Sequence, residues 1–152
     1  MNSTLTLTPA TRTRSSLAPL TRHLPAVARC ALGFIFLVSG LNGFLNFLPP
    51  PDASAMPAGA MALGAAFMKS GYLFPLILGT EAVTGALLLS NRFVPLALAL
   101  LAPVLVNILA FHVFLAPTGL GLAVALIAIE LYLAWVYRAA FRPMLGARVS
   151  AR

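Results

Sequence analysis

Four apolar runs, at about residues 28–48, 72–90, 95–115 and 120–138, set what this chain can fold into. Each is close to the ~20 residues that an α-helix needs to cross a bilayer. Inside them the only charged groups are Glu81 and Glu130, and arginine stands only at their edges. Composition agrees with this reading. Of 152 residues, 61% are hydrophobic and 9% charged, and mean hydropathy is +0.97. A soluble domain carries about 25% charged and about 45–50% apolar residues. A soluble globular protein, a disordered chain and a coiled coil are therefore excluded. The expected class is all-α: an integral membrane four-helix bundle in a single domain, with the lipid bilayer as its main partner.

The connections between the runs are short and marked by proline, glycine and charge. Residues 1–26 are basic and rich in Ser, Thr and Pro, with no acid, and are expected as a flexible N-terminal tail. A targeting segment of the organellar transit type is the alternative. The transmembrane domain is expected over 27–145, with a C-terminal tail at 146–152. Pro49-Pro50-Pro51 is expected to stop the first helix. Between the first and second runs, Pro57 opens a short apolar segment reaching Ser70. There Met56, Ala60, Leu63 and Phe67 fall near one face. Too short to span, it is expected as an interfacial helix or a re-entrant cap. Asn91-Arg92 and Ala116-Pro117-Thr118-Gly119 make the remaining turns.

Charge gives an orientation. If the N-terminus is cytoplasmic, Arg12, Arg14, Arg22, Arg29, Arg92, Arg138, Arg142, Arg148 and Arg152 lie inside and only Lys69 lies outside. That asymmetry follows the positive-inside rule and favours an even number of spans. Trp135, Tyr137 and Phe141 fit a water–lipid boundary. The expected location is a bacterial-type plasma (inner) membrane, multi-pass, with both termini cytoplasmic. The net charge of +7 does not indicate nucleic acid, because the arginines sit at both ends and in one connection. Cys30 is the sole cysteine, so no internal disulfide forms, and it reads as a small packing residue.

Polar groups inside the runs need protein partners, because the bilayer core holds no water. Ser39, Asn42 and Asn46 share a face of the first helix, and Glu81, Thr84 and Gly85 share one on the second. Glu81 and Glu130 fall near mid-membrane. Asn107 lies about 3 Å and Asn42 about 6 Å toward the outer side at 1.5 Å per residue. The candidate intramembrane site is therefore Glu81, Asn42, Asn107, Glu130, Thr84 and His112. No Lys or Arg lies within the spans to pair with the acids, so both are expected to be neutral or to share protons, with Asn42 and Asn107 hydrogen-bonding to them. This set reads either as a proton relay or polar ligand site, or as interhelical hydrogen bonding that fixes the bundle. His112, about 140° around its helix from Asn107, reads as a contact for a quinone head group, a metal or a proton, or as an interfacial hydrogen-bonder. No nucleotide-binding, CxxC or HExxH motif is present, and no second His or Cys stands at metal-ligand spacing. No catalytic residue, cofactor ligand or metal site is read from the sequence. A quinone is the one cofactor left open.

The stretches VSGLNGFLNFLP at Val38–Pro49, SGYLFPLILGTEAVTGALLLSNRFVPLAL at Ser70–Leu98, LAPVLVNILAFHVFLAP at Leu101–Pro117 and ELYLAWVYRAAFRPML at Glu130–Leu145 together resemble the DoxX family of small four-helix membrane proteins. The resemblance covers about residues 27–145. It implies a four-helix integral membrane protein. Some relatives are small subunits of thiosulfate:quinone oxidoreductases, and others associate with thiol or oxidative-stress enzymes. Glu81 matches the acid that members carry on the second helix. Many members place a Lys where this chain has Gly43, so the resemblance does not extend to a Lys–Glu pair.

Three functions follow as expectations. The first is a non-catalytic accessory subunit of a membrane redox or oxidative-stress complex, with redox-enzyme subunits as partners. The second is a quinone-type, small-molecule-binding oxidoreductase subunit. The third is a small transporter or proton pathway. A homo-oligomer is left open.

Overall fold

The computed structural model of the chain describes residues 18–50 and 56–145. The described residues are helical, with no strand. Five longer helices follow in order: α1 (Ala18–Leu45), α2 (Ala58–Lys69), α3 (Leu73–Leu89), α4 (Val94–Phe114) and α5 (Leu120–Val136). A one-turn α6 (Arg138–Phe141) ends the series. Three stretches are long and apolar enough to cross a membrane: Arg22–Leu45, Val94–Phe114 and Pro117–Val136. The pair α2 and α3 qualifies as a fourth, with a bend of 93° between them.

α1 differs from expectation at both ends. It begins at Ala18, inside the tract expected as a tail, and runs through Pro25 without a break. Residues 1–17 and the expected C-terminal tail lie outside the described residues. At the other end α1 stops at Leu45, short of the proline run. Asn46 turns left-handed at φ 50°, a conformation that asparagine tolerates better than most residues. Its N–H reaches back to the Asn42 carbonyl at 2.8 Å. The Asn42 side chain then accepts the Leu48 N–H at 2.7 Å. Local asparagine chemistry ends the helix, and the prolines only keep it from restarting.

The joint between α2 and α3 has a similar local cause. Gly71 sits at φ 74°, where a Cβ would be strained. The Ser70 hydroxyl donates to the Phe67 carbonyl at 2.6 Å and accepts the Leu73 N–H at 3.1 Å. One side chain thus closes α2 and opens α3 across the right-angled bend.

α1 and α3 run antiparallel along a seam of small residues. Gly33 faces Gly85 and Leu88, and Gly40 faces Ala82 and Leu78. A Cβ on Gly85 would lie 2.7 Å from the Gly33 carbonyl oxygen, and one on Gly40 would lie 2.5 Å from that of Leu78. The backbones are in near contact, which only glycine permits. Elsewhere α4 packs on α3 and α5, and α5 returns to α1. Between them lies an apolar core that includes Leu32, Phe36, Leu88, Leu98, Leu101, Leu105 and Leu133. The outward faces are apolar as well: Phe34 of α1, Val83 of α3, Val106 of α4 and Leu131 of α5 are all more than half exposed. That much exposed hydrocarbon on every side fits a lipid surrounding.

Candidate functional site

The acid on α3 has a direct partner. The Ser39 hydroxyl of α1 donates to Glu81 Oε2 at 2.7 Å. Ser39 and Glu81 lie in the region where Gly40 brings α1 against Ala82, so the close backbone approach also puts the short serine side chain within reach. Glu81 is 6% exposed. Thr84, one turn along, is fully buried, but its hydroxyl bonds within α3, to the carbonyls of Thr80 at 2.7 Å and Glu81 at 3.1 Å. It contributes no donor to a neighbouring helix.

Glu130 of α5 is buried too, at 7% exposed. Its Oε2 has no hydrogen-bond partner among the described residues. No hydrogen bond joins Glu81 to Glu130 there either. Asn42, expected to serve the acids, instead directs its side-chain oxygen to the Leu48 N–H at the end of α1. The six candidate residues therefore divide into separate environments.

Asn107 and His112 form one of these. Both line a cavity of about 290 Å³ under α2. The α2 side of the cavity is Met56, Ala60, Leu63 and Phe67, the apolar face visible in the sequence, with Gly64 among them. Phe74 of α3 and Ile108 and Phe111 of α4 complete the lining. The His112 ring is fixed from several directions. Its Nδ1 lies 2.9 Å from the Ala116 carbonyl oxygen. Phe111 meets it edge to face at 5.1 Å between ring centroids. Gly119 lies so close beneath the ring that any side chain there would displace it. Since a carbonyl only accepts, Nδ1 carries the proton and donates. In the neutral ring Nε2 is then a hydrogen-bond acceptor.

The sequence reading missed two features. Arg29 of α1 is 8% exposed and donates to the Leu88 carbonyl at the end of α3, with Leu89 O at 3.3 Å from the same nitrogen. It is a cation placed on a helix C-terminus, where the dipole favours it. Nothing in the local sequence names that partner, because α3 lies some sixty residues away. The glycine seam, by contrast, left a signal: Gly33 and Gly40 are seven residues apart and share a helix face. Cys30, expected as a packing residue, is exposed. Among the described residues no group of three His, Cys, Asp or Glu side chains is placed to hold a metal ion. No protein-family model, curated protein or solved structure matches the chain.

Proposed function

We propose that the chain is a DoxX-like integral membrane protein whose long helices form a four-helix bundle in a plasma (inner) membrane, with both termini cytoplasmic. In this reading it is a non-catalytic accessory subunit of a membrane redox or oxidative-stress complex. One observation carries the proposal: three of the candidate residues, Glu81, Thr84 and Asn42, have their side-chain polar groups bonded to the helices themselves. Ser39 binds Glu81 across the α1–α3 seam, Thr84 bonds within α3, and Asn42 closes α1. Such bonds fix a bundle, at about 0.6 kcal/mol each on average in membranes. A scaffold of this kind, apolar on its outer face, suits a subunit that works through its neighbours in the bilayer.

The test is purification from native membranes in a mild detergent, followed by identification of co-purifying proteins. The expected result is a redox enzyme in fixed ratio to the chain, retained through size exclusion. A chain that elutes free of any other protein under conditions that keep it folded would overturn the accessory role.

A further inference from the structure

The cavity under α2 differs in kind from the Ser39–Glu81 contact, and the accessory reading does not use it. We propose that it is a binding site for a small apolar molecule carrying a ring hydroxyl, of the phenol class.

Size comes first. The cavity holds about 290 Å³, and a dry protein cavity of ~150 Å³ already takes up benzene. There is room for one substituted aromatic ring. The walls suit such a ring, since Phe67, Phe74 and Phe111 come from three different helices and all face the space. Aromatic side chains prefer ring partners in offset or edge-on contact. Gly64 adds room: a Cβ placed there would meet nothing within 4 Å.

Polarity selects the hydroxyl. His112 commits its Nδ1 proton to Ala116 and is held against Gly119. With Nδ1 donating to the carbonyl, the neutral tautomer is the one in which Nε2 is an acceptor and not a donor. A ring carbonyl presents only lone pairs and gains nothing from Nε2, whereas a phenolic O–H donates to it. Asn107, about one and a half turns earlier on α4, lines the same space and carries an amide with both a donor and an acceptor. Sites built from a few fixed polar groups on an apolar wall discriminate by such matches.

The full chain, labelled with ¹⁵N at histidine and reconstituted in lipid nanodiscs, provides the readout. His112→Gln distinguishes the His112 signals from those of His23. The probes are 4-butylphenol and its methyl ether, which has the same ring and tail but no O–H. The phenol should shift the His112 Nε2 resonance saturably, and the ether should bind about tenfold or more weakly. Gly64→Leu fills the cavity and should abolish the shift, while Gly79→Leu, also in open space, should keep it. If Gly64→Leu does not fold, Leu63→Trp fills the same space and is read in the same way. Three results overturn the proposal: equal responses to phenol and ether, a response that only rises in proportion to the probe dissolved in lipid, or a response that survives the filled cavity. None of these depends on whether a redox enzyme co-purifies.

Discussion

Gly40 and Gly64 are the same residue in helices of the same chain, and their surroundings are opposite. Gly40, on α1, is pressed against the α3 backbone at Ala82 and Leu78. Gly64, on α2, has nothing within 4 Å of where its Cβ would stand. The first glycine lets two helices touch, and the second leaves space between α2 and α4. Beside Gly40 the Ser39 hydroxyl is paired with Glu81 across the seam. Around Gly64 the walls are large rings, and two polar side chains, Asn107 and His112, line the gap. The α1–α3 seam is built for a fixed geometry. The α2 region is built around a volume.

The largest effect is expected at the seam. Gly40→Ala places a methyl group against backbone atoms, which cannot rotate away as a side-chain tip would. The helices must separate, and overpacking of this kind costs about 2–3 kcal/mol. Ser39 and Glu81 sit beside the displaced contact and should lose their hydrogen bond as well. Thermal melting in detergent gives the loss. A melting point within a degree of the parent's would show that α1 and α3 are not in backbone contact.

Arg29→Met comes next. It keeps much of the apolar stem but removes the charge from the carbonyl end of α3. The expected cost is about 1–2 kcal/mol, as for a partly buried cation on a helix C-terminus. Arg29→Lys should recover part of it, because an ammonium also serves the dipole but sits on a stem of different length and head shape. If Lys and Met melt alike, the charge is not the operative feature.

How much of this was visible in advance depends on the range of the interaction. The apolar runs, the short helix between the first two and the turn at Asn91 are local patterns, and each was legible from spacing. So was the face of Met56, Ala60, Leu63 and Phe67, although not that it would border a cavity with Asn107 and His112. The polar residues were legible as a set but not as a grouping. Depth along a helix can be counted, but the direction in which a face points depends on packing. Asn42 shows the limit: at a suitable depth to meet the acids, its side-chain oxygen is taken by Leu48 a few residues away. A local bond of this kind costs little chain entropy and competes well with a distant partner.

The Ser39–Glu81 bond should have a smaller effect. Ser39→Ala and Glu81→Leu should each cost about 0.5–1.5 kcal/mol, and the double variant should cost less than their sum, since both remove one bond. Glu81→Gln keeps an acceptor for the serine and should melt near the parent. Should Gln be as damaging as Leu, the carboxylate matters for more than the hydroxyl it receives. A deletion-rescue assay on Glu81→Gln then separates structure from function: normal melting with failed rescue points to a titrating or partner-facing role.

The smallest effect, and the one of opposite sign, belongs to Gly64→Ala. Glycine inside a helix is less favourable than alanine by up to about 1 kcal/mol, because its unfolded backbone has more freedom to lose. At Gly40 that gain is overwhelmed by collision. At Gly64 there is nothing to collide with, and residue 64 lies within the regular helix α2. Gly64→Ala should therefore leave stability unchanged or raise it by a few tenths of a kcal/mol, measured in the same melts as Gly40→Ala. A fall of the same size as at Gly40 would mean that α2 closes onto α4 in the membrane and that the gap under it is filled by protein. An unchanged or raised melting point leaves a residue whose replacement by alanine costs no stability and whose small size keeps the cavity open, which is what a ligand site, and not a packing seam, requires of it.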